Sequence, residues 1–233
     1  MTKRNPQNKG DSSGGQRVFV GILIGLAVVV VGVVVWRNSQ RAAQNVASSK
    51  DVINQLGVLN AEQPTLGSTA AKVQVVVFEN FKCPNCRNFE QDVFPKIKAN
   101  YIDTDKIFYG FRSLLFLGED ATTAAEAAQC VFQQKPELFW PYAEIIFRAQ
   151  KAENLTWATP SYLTEIAENV DGVNRDDLRK CIDERGAREI VAADNALGRR
   201  LGVTGTPTVF VNGLKLTSYD YGTVARAIDT ALE

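Results

Sequence analysis

Four cysteines, Cys83, Cys86, Cys130 and Cys181, are the most reactive side chains of this 233-residue chain, which contains no histidine. The missing imidazole excludes Ser-His-Asp and Cys-His catalysis, His-ligated zinc and haem attachment through CxxCH. Two of the cysteines form a CxxC, Cys83-Pro84-Asn85-Cys86. By itself that pattern is half a zinc site, a redox pair or chance. Zinc would need Cys130 and Cys181 as further ligands, and these do not form a second CxxC. Redox work fits the local setting better. A cysteine opening a helix has its thiolate stabilised by free backbone N–H groups and the helix dipole. A second cysteine three residues on lies one turn along the same face, within disulfide reach. Pro84 suits a first helical turn, where no N–H is required. Lys82 and Arg87 add nearby positive charge.

The elements that must hold this pair can be read around it. Residues 72–78, KVQVVVF, form a β-branched run expected to be a buried strand ending just before the CxxC. Residues 84–100 carry helical spacing at Phe89, Val93 and Ile97, with a kink or break expected at Pro95. A second strand is expected over 106–112, then a helical block over 119–201 with helix starts at Thr159-Pro160 and Asn174. Gly202 is placed to close the last of these helices. Strands at 208–211 and 214–217 flank Asn212-Gly213, a strong hairpin signal, and 221–232 reads as a final amphipathic helix. Helices inserted before a terminal hairpin exclude a doubly wound sheet. The expected fold class is α/β, a small mixed sheet carrying an all-helical insertion at about 119–185. A second chemical feature precedes the hairpin: in Gly205-Thr206-Pro207-Thr208, Pro207 is either a trans residue at an edge strand or a cis proline. The cis form would leave the backbone of Thr206 free to pair with an extended peptide.

The N-terminal part is of another kind. Lys and Arg together number 26, as do Asp and Glu, so no net charge exists to neutralise a nucleic acid, and none is expected as a partner. The balance conceals an asymmetry: residues 1–41 hold six basic residues and one acidic, leaving the body acidic. Residues 18–36 are uncharged and apolar, and as a helix would reach about 28 Å, close to a bilayer core. A cleaved signal peptide usually has a shorter apolar region of about 7–15 residues ending in small residues, whereas Arg37 and Arg41 follow here. The expected organisation is a basic cytoplasmic tail over 1–17, a single transmembrane anchor over 18–36, a linker over 37–67 in which Val52–Leu59 is spaced as a short amphipathic helix, and a catalytic domain over 68–233. The excess of basic residues before the span puts the N-terminus in the cytoplasm and the domain outside it.

With these features assembled, the body resembles the DsbA-like thiol–disulfide oxidoreductases, a thioredoxin fold with an inserted helical subdomain. The resemblance rests on Leu66-Gly67-Ser68, on the run from Phe78 through Cys83-Pro84-Asn85-Cys86, on Phe111-Arg112, on the alanine-rich stretch 124–130 and on 202–213. It implies Cys83 as nucleophile, Cys86 as resolving cysteine, and a cis Thr206-Pro207 at the substrate-binding edge. It implies no cofactor and no metal. Its substrates would be reduced or misoxidised extracytoplasmic proteins, and its redox partner a membrane quinone reductase of the DsbB or vitamin K epoxide reductase type. It also implies a structural Cys130–Cys181 disulfide, where the alternative is two free buried thiols. Many relatives carry an acidic residue six positions before the first cysteine, and here that residue is Val77. Glu79 lies on the same strand face, either as a proton relay for Cys86 or as a solvated charge. Asn85 lacks the positive charge of the histidine in strongly oxidising relatives, so the Cys83 thiol is expected to be less acidic than theirs. The function expected from these features is oxidation of secreted proteins' thiols to disulfides. The alternatives are a reductase, as in cytochrome maturation, and a non-catalytic tethered peptide-binding or holdase module. Phe139, Trp140, Tyr142, Ile145, Ile146 and Phe147 are expected to be mostly core of the helical block.

Overall fold

A computed structural model describes residues 30–37, 51–56 and 62–233. Residues 30–37 are an exposed helical segment. The expected cytoplasmic tail, residues 18–29 of the expected anchor and most of the expected linker lie outside the described residues. Among the described residues no helix is long and apolar enough to cross a membrane.

The body has a five-stranded mixed sheet built from β1 (Thr65–Gly67), β2 (Val73–Glu79), β3 (Ile107–Ser113), β4 (Thr208–Val211) and β5 (Leu214–Lys215), in the order β1-β3-β2-β4-β5. Its central strand is β2 (Val73–Glu79), parallel to β3 (Ile107–Ser113) and antiparallel to β4 (Thr208–Val211). A valine-rich run whose one acidic residue, Glu79, comes last suits a strand covered on both faces. β5 (Leu214–Lys215) closes the Asn212-Gly213 hairpin, with both turn residues at positive φ, as that tight turn requires. β5 ends two residues sooner than expected.

Alternation along β2 separates two cores. Val73, Val75 and Val77 pack on one face with Phe89, Ile97, Tyr109, Val224 and Ile228. That face is covered by α2 (Pro84–Asp92), α3 (Phe94–Ile97) and α9 (Tyr221–Leu232). Val76 and Phe78 pack on the other with Phe108, Leu197 and Phe210. The helix expected over 84–100 is interrupted at Val93, two residues ahead of Pro95, and its tail is a wider turn at Lys98–Ile102. Proline offers no N–H to continue the ladder, so the chain restarts around it.

The linker expected to extend to residue 67 requires correction. β1 (Thr65–Gly67) is an edge strand antiparallel to β3. Residues 51–56, here α1, are helical, and Leu56 is buried beside Val76 and Phe78. The Leu56 carbonyl accepts a hydrogen bond from Arg112 at 3.2 Å. The helix falls within the amphipathic stretch Val52–Leu59, with Val52 packed on the same core, whereas a polar composition concealed β1, which is held by backbone pairing.

Between β3 and β4 lies the helical insertion: α4 (Glu119–Gln134), α5 (Phe139–Arg148), α6 (Pro160–Ile166), α7 (Arg175–Asp183) and α8 (Arg188–Arg200). Thr159 and Asn174 cap α6 and α7 by accepting backbone N–H groups, as their types predict. The α8 helix is shared, with Val191 in the helical core and Leu197 on the sheet. Phe139, Tyr142, Ile146 and Phe147 are buried in the insertion's core, while Trp140 stacks on Phe94 beside Tyr109. Cys130 on α4 and Cys181 on α7 form a disulfide. They are therefore unavailable as ligands for a four-cysteine zinc site.

Candidate active site

The carboxyl end of β2 leads directly to the first turn of α2, and that junction places the CxxC. Cys83 is the N-cap residue in an extended conformation, and its carbonyl accepts from the N–H groups of Cys86 and Arg87 at 3.1 and 3.2 Å. Pro84 occupies the first helical position, and Asn85 is exposed on the outer side of the turn. Cys86 lies underneath with no exposure. Both cysteines are present as thiols.

Across from them is the loop before β4, in which the Thr206-Pro207 bond is cis. The Cys83 thiol donates to the Thr206 carbonyl at 3.3 Å. The loop from Thr204 to Thr208 and the segment from Lys215 to Tyr219 border an open groove of about 510 Å³ at this edge. The structure thus brings together five residues singled out by sequence: Cys83, Cys86, Pro84, Thr206 and Pro207. Cys130 and Cys181 stand apart, in the helical insertion.

The two sulfurs titrate in opposite directions. The Cys83 thiol is lowered to about 6 by a hydrogen bond from the Cys86 thiol, helped by Thr206 and by the backbone N–H groups of Cys86 and Asn85, against the opposing effect of burial. Burial pushes the Cys86 thiol up, aided by its bond to Cys83 and by the negative charge of Glu79. One sulfur is therefore a thiolate near neutral pH and the other a thiol. That is the asymmetry a thiol–disulfide exchange site needs, since only the thiolate attacks and the better leaving group is the more acidic thiol.

Neither Lys82 nor Arg87 supplies the acidity of Cys83. The Lys82 ammonium turns away into a buried ion pair with Asp120 Oδ1 at 2.6 Å. Asp120 Oδ2 accepts from the backbone N–H groups of Trp157 and Ala158 at 3.0 and 3.2 Å. This pair ties the residue before Cys83 to α4 and to the segment leading into α6. Gln150, just beyond α5, donates through Nε2 to the carbonyls of Phe81 and Cys83 at 2.7 and 3.1 Å. Asn80 donates its side-chain amide to Leu114 O and accepts from Lys82 N. Lys82, Asp120 and Gln150 hold the turn in place, a role that their local sequence does not mark because these side chains' partners lie 37 to 69 positions away. Glu79 is fully buried at the end of β2, which removes the solvated-charge alternative.

Comparison with known proteins gives one consistent result. Residues 59–230 match the family model described as Thioredoxin. The chain is 30% identical over 223 residues to the probable disulfide bond formation protein D of Bacillus anthracis, covering 95% of this chain and 99% of that protein. The crystal structure of oxidised BdbD from Bacillus subtilis superposes with a TM-score of 0.70 at 31% identity, covering 73% of this chain and 93% of that one. The DsbA of Chlamydia trachomatis superposes with a TM-score of 0.67 at 28% identity, covering 72% and 90%.

Proposed function

The chain belongs to the thioredoxin family, in its DsbA-like group of protein thiol–disulfide oxidoreductases, and on that premise we propose that it is a membrane-anchored oxidase of extracytoplasmic protein thiols. The observation carrying this reading is the opposed acidity of Cys83 and Cys86 beside the Thr206-Pro207 edge.

In the oxidised enzyme, a substrate thiolate attacks Cys83 Sγ. The Cys83–Cys86 bond breaks, and Cys86 leaves and takes up a proton. A second substrate thiolate then attacks the substrate sulfur of the mixed disulfide. Cys83 departs as the thiolate that its hydrogen bonds favour. The substrate has lost two electrons and the enzyme holds them as a dithiol. A membrane quinone reductase of the DsbB or vitamin K epoxide reductase type would remove them. Thr206 and Pro207 would bind the substrate backbone as an added strand while the groove along 215–219 receives its side chains. The apolar run 18–36 would hold this domain at the outer membrane face, with residues 1–17 in the cytoplasm.

The test is oxidation of a reduced, denatured disulfide protein by the purified full chain in detergent. The oxidised chain should introduce disulfides one for one, Cys83→Ser should abolish the transfer, and Cys86→Ala, offered the same protein with its disulfides intact, should hold it as a mixed disulfide on Cys83 because no second thiol releases it. Transfer that survives Cys83→Ser would overturn the reading. Binding of the unfolded protein without any transfer by the unsubstituted chain would instead identify a tethered peptide-binding module.

A further inference from the structure

The three residues that lead into the CxxC helix are gripped from two sides. From the strand side, Lys82 N–H donates to Asn80 Oδ1 and Cys83 N–H donates to the Asn80 carbonyl, both at 2.9 Å. From the insertion side, Gln150 Nε2 donates to the carbonyls of Phe81 at 2.7 Å and Cys83 at 3.1 Å. Both peptide planes that flank Cys83 are therefore pinned, one through its N–H and the other through its carbonyl. Cys83 is fixed in an extended conformation at φ −76° and ψ 122°, and its sulfur keeps only the choice of χ1 rotamer. In the rotamer it adopts, the sulfur lies 3.3 Å from the Thr206 carbonyl.

Gln150 is itself held where it can do this. It follows α5, whose Phe147 ring packs against the Phe81 ring at 4.8 Å. The residue before it offers its carbonyl, Ala149 O, to the Tyr162 hydroxyl at 3.2 Å. The residue after it, Lys151, lays its ammonium over the Tyr162 ring at 4.4 Å. Tyr162 on α6 thus anchors the backbone on both sides of Gln150. Two carbonyls facing one amide accept only from its nitrogen, which fixes the orientation of that amide. Its oxygen is then turned away, shielded from water and without a hydrogen-bond partner among the described residues. An orphaned acceptor costs stability, so the side chain is poorly chosen as a support alone. What it does well is orient the Cys83 peptide.

We propose that Gln150 is a positioning residue of the exchange reaction, through which the helical insertion aims the Cys83 sulfur and so sets the balance between dithiol and disulfide. This role rests on the exchange reading above and holds for either direction of electron flow. Gln150 touches neither sulfur and acts through the Cys83 backbone. The Cys83 thiolate is stabilised by the Cys86 thiol, by Thr206 and by the N–H groups of Cys86 and Asn85. Each of those bonds depends on direction as well as distance. A Cys83 peptide free to turn spreads its sulfur over several positions, of which only one meets all of these donors. The insertion then contributes to the chemistry with a single amide, although none of its side chains meets the sulfur through this contact.

The test compares the unsubstituted full chain in detergent with Gln150→Met, which keeps the length of the side chain and has no N–H to donate. Two readouts are taken, the pH midpoint of the Cys83 thiolate absorbance and the equilibrium of the Cys83–Cys86 pair with glutathione. In Gln150→Met the midpoint should rise by about one pH unit, the worth of one hydrogen bond to a charged group. The glutathione equilibrium should move about tenfold towards the enzyme disulfide, because a less stabilised thiolate makes the dithiol less favoured. Tyr162→Phe keeps the ring and loses only the bond to Ala149, so both readouts should move the same way by less. Replacing Cys130 and Cys181 by serine loosens the insertion elsewhere, and both readouts should stay where they are. An equal shift in that control would reduce the effect to general softening and overturn the role of Gln150. A Gln150→Met chain that unfolds at lower denaturant with both readouts unchanged would make the residue a support only, and would also overturn it. Should that variant not fold, unchanged readouts in Tyr162→Phe would do the same. Failure of the unsubstituted chain to exchange with glutathione would instead overturn the exchange reading beneath.

Discussion

Acidity at Cys83 comes from aimed hydrogen bonds and owes nothing to a neighbouring cation. Lys82 is spent on Asp120, and Asn85 is neutral and turned outward. Removing one donor should therefore be visible. Thr206→Val is expected to raise the Cys83 thiol by about one pH unit, from hydrogen bonds to charged groups worth about 1.5 kcal/mol or more. Ultraviolet thiolate absorbance against pH checks this, and an unchanged midpoint would assign the acidity to the Cys86 thiol and the backbone amides without Thr206. A stability consequence follows from the same shift. The Cys83 thiol falls from an ordinary value of 9.0 to about 6 in the folded reduced chain. A depressed folded value adds stability that is complete above the unfolded value and is lost as pH falls through about 6. The reduced chain should gain stability over the reduced Cys83→Ser variant between about pH 6 and pH 9, as denaturant midpoints would show.

At the scale of elements, two cross-links fix the helical insertion. One is the Cys130–Cys181 disulfide between α4 and α7, with a sequence separation of 51. Replacing both cysteines by serine should cost up to about 4 kcal/mol in urea unfolding, with exchange at Cys83 retained. The other is the buried Lys82–Asp120 pair, at 3% and 7% exposure. Asp120→Asn should destabilise by about 3 kcal/mol, because it strands a buried ammonium, and should slow exchange because the turn before Cys83 loosens. The elements around the site were legible because each carries a local signature: the β-branched run of β2, Pro84 at a helix start, Asn212-Gly213 in the hairpin. β1 was not, since a three-residue edge strand has too few positions to show a period, whereas the apolar spacing of Val52 and Leu56 already marks α1.

Taken whole, the molecule joins an apolar run with basic flanks to an acidic redox domain. Such a chain should present its domain outside the cytoplasm. External protease added to intact spheroplasts should digest residues 42–233, and their protection would contradict that orientation. The account depends most on the direction of electron flow, which one equilibrium decides. The reduction potential of the Cys83–Cys86 pair should be measured in the full chain in detergent, equilibrated with glutathione buffers. A stabilised Cys83 thiolate favours the dithiol over the disulfide, so the predicted value lies between about −120 and −180 mV, among oxidases and isomerases. A value near −270 mV, in the range of thioredoxin, would make the protein a reductase and contradict the account.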